Sequence, residues 1–369
     1  MNRLFRWDQM GLFLLALAAG ILPFAVPEVC AAALREGLTL CGGPLLLSLF
    51  PFLVVSRLLI QCPESDLLAL PFRLAAWGIG IRTPCAARVL CIGFLGGFAP
   101  AASAAAQAVR TGQLTAEEAD TLLPACICSG PSFVVLTVGQ SLLGSAELGV
   151  LLFAAQITAN YLTAALLNRF AGVHSVKPGS AAPASPAPPR LDEILADAAI
   201  TYCKLCGFIL FFRMLAAGAG ALLPAGAGTL CSILLEVCSG CDLASRTGRW
   251  GSLLCCAALS VQGLSVLLQV RTICPPEMTL RPLYRARMLH LPLSLALFYL
   301  LLPGGEADVF STLPARVLLM RRVPPDCALL VFAVCCMAAC TLRSGIRQVE
   351  QKQMARNAGG CCINSKTLL

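Results

Sequence analysis

Residues 126–144 read CICSGPSFVVLTVGQSLLG, and the fold turns on how that stretch is taken. It is apolar enough to enter a bilayer, yet Ser129-Gly130-Pro131-Ser132 interrupts it near its start. Proline removes a backbone donor and clashes with the preceding turn. Glycine loosens the same point. Non-helical backbone at membrane depth survives only where protein covers it or where it lines a cavity. The stretch therefore reads as a broken membrane helix beside a pathway. The competing reading is a kinked helix that serves packing alone, and a counterpart elsewhere in the chain would decide between them.

The rest of the composition sets the solvent. Of 369 residues, 58% are hydrophobic and only 12% are charged, against about 25% charged in soluble domains. Several apolar runs approach the roughly 20 residues needed to cross a bilayer. The expected fold is all-α: a polytopic helical membrane protein with the lipid bilayer as its partner. Arg3 and Arg6 precede the first apolar run, residues 10–26, but no small-x-small cleavage site follows, so that run is expected to stay as an anchor. The net charge of +8 comes from arginines scattered through loops, a positive-inside pattern rather than a nucleic-acid surface.

The 21 cysteines sit mostly inside apolar runs, where free cysteine acts as a small hydrophobe. Two CxxC pairs exist, Cys203/Cys206 and Cys238/Cys241. A four-thiolate zinc site needs such pairs to converge, and both lie in or beside membrane-depth sequence. Structural cysteine is expected, with no metal and no cofactor. The chain has no G-x-x-x-x-G-K-[ST] loop and no HExxH or GxSxG pattern, and its histidines are His174 and His290. An enzyme is not expected.

Taken in order, residues 38–60 form a second span carrying Pro44 and Pro51. Residues 67–81 read as an interfacial helix with Trp77 at the headgroups. Residues 85–99 are apolar and run into Gly96-Gly97-Phe98-Ala99-Pro100 and a train of alanines that would let backbones approach closely. In the polar insertion 107–120, Thr115 and Glu118 fit a capping box, its charges read as a solvated helical turn. Residues 147–167 make another span, on which Gln156 and Asn160 lie one turn apart, placed either to line a path or, the favoured reading, to bond a neighbouring helix. Residues 174–190, HSVKPGSAAPASPAPPR, form a Pro/Ala/Ser linker that cannot build a core. The chain thus divides into an N-terminal membrane half (1–170), the linker (171–190), a C-terminal membrane half (191–343) and a basic cytoplasmic tail (344–369).

In the second half, residues 202–223 span, with Lys204 and Arg213 expected to snorkel. Residues 230–243, LCSILLEVCSGCDL, are too short to cross comfortably and place Glu236 among apolar residues with Ser239-Gly240 after it, a re-entrant hairpin. An ionisable group at that depth is a functional hypothesis by default, although Glu236 could instead bond to orphan backbone donors. Residues 252–270 are broken at Gln262-Gly263-Leu264-Ser265, with Gln269 beyond. Residues 288–302 span after Arg281, Arg285 and Arg287, and residues 327–342 form the last span.

Each half thus carries a Gly/Ser-rich apolar turn followed by an interrupted helix. Paired interruptions at corresponding positions point to a transporter site at the interface of two repeats, inverted if five elements precede the linker. The candidate binding residues are Ser129, Gly130, Pro131, Ser132, Glu236, Ser239, Gly240, Gln262, Gly263, Ser265 and Gln269. Unwound backbone and half-helix N-termini there favour an anion.

At these residues the chain resembles the sporulation integral membrane protein YlbJ family, whose members carry the Gate domain of nucleoside-transporter-like proteins. The resemblance covers residues 34–302 and rests on GLTLCGGPLLLSLFPFLVVSRLL (37–59), residues 112–139 with their LTAEEAD and SGPSF, LLEVCSG (234–240), GLSVLLQ (263–269) and RMLH (287–290). The chain departs from the family pattern at Gly97-Phe98-Ala99-Pro100-Ala101-Ala102, at Cys126 and Cys128, and at Leu267. The resemblance implies a role in endospore formation, moving dipicolinic acid, a compact dianion, across the outer forespore membrane. The leading expectation is a permease for a small polar or anionic solute. A nucleoside or cation carrier using Glu236, Gln262 and Gln269 is one alternative, and a non-transporting membrane scaffold is another. Oligomeric state, including a homo-oligomer, stays open.

Overall fold

The computed structural model describes residues 2–61, 63–170 and 190–302. All of the linker except Arg190, the span expected at 327–342 and the basic tail lie outside the described residues. Within them the protein is all-α, with fourteen α-helices, one π-helix and no strand. Four stretches are long and apolar enough to cross a membrane: Pro27–Leu47, Ala146–Arg169, Leu191–Leu222 and Gly248–Ile273. A fifth is the pair Leu70–Ile79 and Pro84–Gly96, bent by 107°. The exterior is apolar, with Phe24, Leu300 and Leu47 each more than 70% exposed. Gln156, Asn160, Gln262, Gln269 and Arg287 are buried. That inside-out pattern suits a bilayer, where polar groups must find partners within the protein. The chain is a polytopic helical membrane protein.

The first half begins with α1 (Asn2–Ala25), α2 (Pro27–Gly42) and α3 (Pro44–Gln61). The span expected over 38–60 is therefore split at Gly43-Pro44, and its N-terminal part belongs to a helix that begins at Pro27. Helix α4 (Leu70–Ile79) is bent by 107° from the helix that follows it, and Trp77 on it is 59% exposed. A hairpin follows, α5 (Pro84–Gly96) and α6 (Phe98–Arg110). Helix α6 is a helix throughout its alanine train, and Ala101 to Ala106 are fully or almost fully buried. Their small side chains let α6 pack against α3, α5, α7 and α13 at once.

Next come α7 (Ala116–Cys126), the π-helix (Ser132–Leu142) and α8 (Ala146–Phe170). The capping box that starts α7 is formed: Glu118 N donates to Thr115 Oγ1 at 3.1 Å, and Thr115 N donates to Glu118 Oε2 at 2.9 Å. The reading of these charges as solvated holds for Glu117, which is exposed, and is corrected for Glu118 and Asp120. Glu118 is 2% exposed and accepts from Thr83. Asp120 is buried and accepts from Thr279 N (2.8 Å), Thr279 Oγ1 (2.6 Å) and Leu280 N (3.1 Å). Glu118 thus ties the start of α7 to the turn before α5, and Asp120 ties it across the two halves to the loop that precedes α14.

The second half is α9 (Leu191–Leu222), α10 (Ala225–Leu235), α11 (Val237–Ser245), α12 (Gly251–Val261), α13 (Gly263–Ile273) and α14 (Arg281–Leu301). The span expected at 202–223 belongs to one continuous helix, α9, that begins at Leu191. Likewise α14 starts at Arg281, so Arg287 lies inside the helix rather than before it. Contacts fix the polarity. Arg110 at the end of α6 reaches Ile273 O at the end of α13, and Asp120 near the start of α7 holds the loop before α14. Hairpin α5–α6 thus opens at the end shared by those residues. Hairpin α10–α11 opens at the opposite end, reached through the full length of α9. The two hairpins enter from opposite ends, and their tips meet in the middle.

Candidate functional site

Each tip rests on a break in the following helix, through one glycine in a left-handed or Gly-only conformation. Gly97 has φ +82, and a Cβ there would lie 2.6 Å from Gly130 N. In the second half Gly263 has φ +67, and its Cβ would lie 3.0 Å from Glu236 N and Leu235 O. A side chain at either point would force the backbones apart, so glycine permits hairpin tip and helix break to touch. Gln262, just before Gly263, also has positive φ (65), although it is not glycine. Such strain persists only where surroundings over-determine it. Here Gln262 Nε2 donates to Leu259 O at 2.7 Å and to Ser129 Oγ at 3.3 Å. That second bond joins the break of one half to the break of the other.

Around this meeting point is a cavity of about 60 Å3 lined by Ser129, Gly130, Ser132, Glu236 and Gln269, with Leu45, Phe52, Phe98, Ile209 and Val266 among its apolar walls. Five of the eleven residues expected from sequence therefore face one space. Others hold it in shape: Gln262 bridges the breaks, Gly263 admits the tip of α10, and Ser265 Oγ accepts from Gln269 Nε2 at 2.9 Å. Pro131, Ser239 and Gly240 do not line the cavity. Pro131 starts the π-helix, Ser239 contributes its backbone N–H to Glu236, and Gly240 lets α11 pack on the backbone of Ile233.

Glu236 is 2% exposed and caps α11: its oxygens accept from Cys238 N (2.8 Å) and Ser239 N (2.7 Å). The carboxylate so satisfies the orphan donors of that helix terminus. The starts of α6, the π-helix and α13 have no side-chain cap. Three half-helix N-termini accordingly keep partial positive charge near the tips, and one is neutralised by Glu236.

Behind the breaks runs a polar lattice. From α8, Gln156 Nε2 donates to Ser260 Oγ (2.9 Å) and Cys256 O (3.2 Å), and Asn160 Nδ2 donates to Ile127 O (3.2 Å). This is the interhelical role read from the sequence. From α14, Arg287 donates to Ile127 O and, at 3.3 Å, to Ser260 O. Those carbonyls end α7 and α12, the first segments of the two broken helices, where a cation complements the dipole. Arg287 is buried, and no carboxylate pairs with it among the described residues. His290 Nε2 donates to Gln156 O at 3.3 Å, and Ser294 bonds Ser260. Sequence reading placed Arg287 in a basic lead-in and passed over this brace. The spacing Arg287, His290, Ser294 puts all three on one helical face and was the available signal.

The basic side chains of α9 divide: Arg213 pairs with Glu36 at 2.7 Å, whereas Lys204 stands at the mouth of a second cavity. Cys206, Cys238 and Cys241 of the CxxC pairs are in no disulfide, and among the described residues no cluster of His, Cys, Asp and Glu suits a metal ion.

No family model, curated protein or solved structure matches this chain.

Proposed function

We propose that this chain is a membrane permease for a small polar or anionic solute, with dipicolinate as the substrate its family resemblance suggests and the outer forespore membrane as its place of action. The observation that carries the reading is the meeting of two oppositely inserted hairpin tips with two helix breaks around one cavity. A packing-only scaffold has no need of four interruptions gathered at one place, nor of a strained Gln262 bridging two of them. Three uncapped N-termini supply the partial positive charge that an anion needs. Glu236, whose oxygens each accept an N–H at the start of α11, has part of its charge offset by that helix terminus. The cavity, about 60 Å3, is well below the roughly 300–1,000 Å3 usual for a small-molecule site, so loading has to part the tips, as alternating access between two repeats requires.

The test is uptake by liposomes containing the full chain. Labelled dipicolinate and nucleosides are supplied with and without a sodium or proton gradient. Saturable dipicolinate uptake, lowered by Glu236→Gln, is the expected result. Uptake of nucleoside alone would overturn the solute class, and no flux of any solute would leave the scaffold reading standing.

A further inference from the structure

A second cavity, of about 140 Å3, lies between α3, α6, α9 and α13 on the side of the bundle where α6 and α13 end. Its polar lining includes Arg57, Ser103, Arg110, Asp197, Lys204 and Gln269, with Thr201 and Thr272 beside them. Three cations face one carboxylate there, leaving +2. The carboxylate is engaged, since Asp197 Oδ2 accepts from Arg57 Nη1 at 2.6 Å, and Asp197 is half-exposed. Arg110 and Lys204 make no ion pair among the described residues. Deeper in, two buried polar atoms have no partner: Ser103 Oγ, on a residue 1% exposed, and Gln269 Oε1, on a residue 2% exposed. Unpartnered polar groups are costly in an apolar interior, and both belong to side chains that line this space. The volume takes several waters or one small anion.

We infer that this cavity is a peripheral anion site, a station at which a small carboxylate, sulfate or phosphate is held before it reaches the centre. Gln269 lines both cavities and is their shared wall. Its amide bonds Ser265, whose hydroxyl both donates and accepts, so a flip about the last torsion turns either the oxygen or the NH2 group outward. A neutral wall of that kind can face an anion from either side without trapping it, whereas a lysine there would bind it as a fixed ion pair. The exposed cations at the mouth concentrate anions from solution, and Ser103 supplies a hydroxyl donor at depth.

The role as a waiting station rests on the permease reading, but the chemistry of the site does not, and the experiment separates them. Equilibrium binding of labelled sulfate is measured on the detergent-purified full chain. The double variant Arg110→Gln, Lys204→Gln changes two exposed residues, and Arg249→Gln removes an exposed cation elsewhere as a charge control. The expected result is saturable binding to wild type, a rise in Kd of roughly tenfold in the double variant, and a change below twofold in Arg249→Gln. Absence of sulfate binding to wild type would overturn the inference, as would equal weakening in the control or a double variant within twofold of wild type. Sulfate binding without uptake of any solute would sink the permease and leave the anion site. Uptake with no sulfate effect at these residues would do the reverse.

Discussion

Replacing Gly97 by alanine attacks the contact on which the central cavity depends. The residue has φ +82 and ψ −163, a region open essentially only to glycine, and forcing a side chain into it costs about 1–3 kcal/mol. The added Cβ would lie 2.6 Å from Gly130 N, 2.9 Å from Gly130 Cα and 3.2 Å from Cys128 O. All three atoms are backbone of the facing break, so no rotamer change relieves the overlap, and overpacking of this kind costs roughly another 1–3 kcal/mol. The sum centres near 4 kcal/mol. Gly144→Ala is the matched control. Gly144 has a similar φ of +72, but an added Cβ there would meet nothing within 4 Å, so only the left-handed penalty of about 1–2 kcal/mol applies. Thermal unfolding in detergent, followed by tryptophan fluorescence, should show the Gly97→Ala midpoint falling two to three times as far as the Gly144→Ala midpoint. A fall no larger than the control's would refute the tip contact, and with it the geometry of the site.

Three further outcomes follow from the lattice around the breaks. Gln262→Ala keeps the positive φ and loses both side-chain bonds, whereas Gln262→Gly loses the bonds and relieves the backbone; the glycine variant should be the more stable of the two by about 1 kcal/mol in the same melt. Arg287→Met leaves Ser260 O without its guanidinium and should destabilise by about 2–4 kcal/mol; Arg287→Lys should restore less than half, because one ammonium cannot fork to carbonyls of two helices. Asp120→Asn turns an amide N–H toward a backbone donor in place of an acceptor, and should cost roughly 1.5–3 kcal/mol. Hydrogen exchange at Thr279 and Leu280, whose amides Asp120 accepts, should rise by at least tenfold.

Much of this architecture was legible in local chemistry. A proline after Ser129-Gly130, a glycine at 97 and a charged residue at 236 each stop a helix for reasons that act within a few residues. The capping box at Thr115 and Glu118 needs no tertiary partner to be recognised. The burial of the charges was not legible. Glu118 and Asp120 look like an exposed polar turn, and only the packing of that turn against Thr83 and the loop at Thr279 makes them internal ligands.

Arg287 illustrates the same division. Its neighbours Arg281 and Arg285 share a basic run with it, and nothing local separates a headgroup anchor from a buried brace. The difference arises because α14 starts six residues before Arg287 and lies against α7, α8 and α12, so that one guanidinium falls between two orphan carbonyls that are 133 residues apart in sequence, Ile127 and Ser260.

What the sequence by itself determined is the solvent, the helical class and where the helices break, since hydropathy, proline and glycine act over a few residues. Only the tertiary structure decided which breaks touch. The hairpin tips meet because they enter from opposite ends, and that long-range geometry sorts Ser129, Ser132, Glu236 and Gln269 onto the cavity while leaving Pro131 to start the π-helix, Ser239 to bond Glu236 and Gly240 to packing. The physical reason is that a broken membrane helix leaves backbone groups which must be satisfied inside the protein, and the partners that satisfy them come from the other half of the chain.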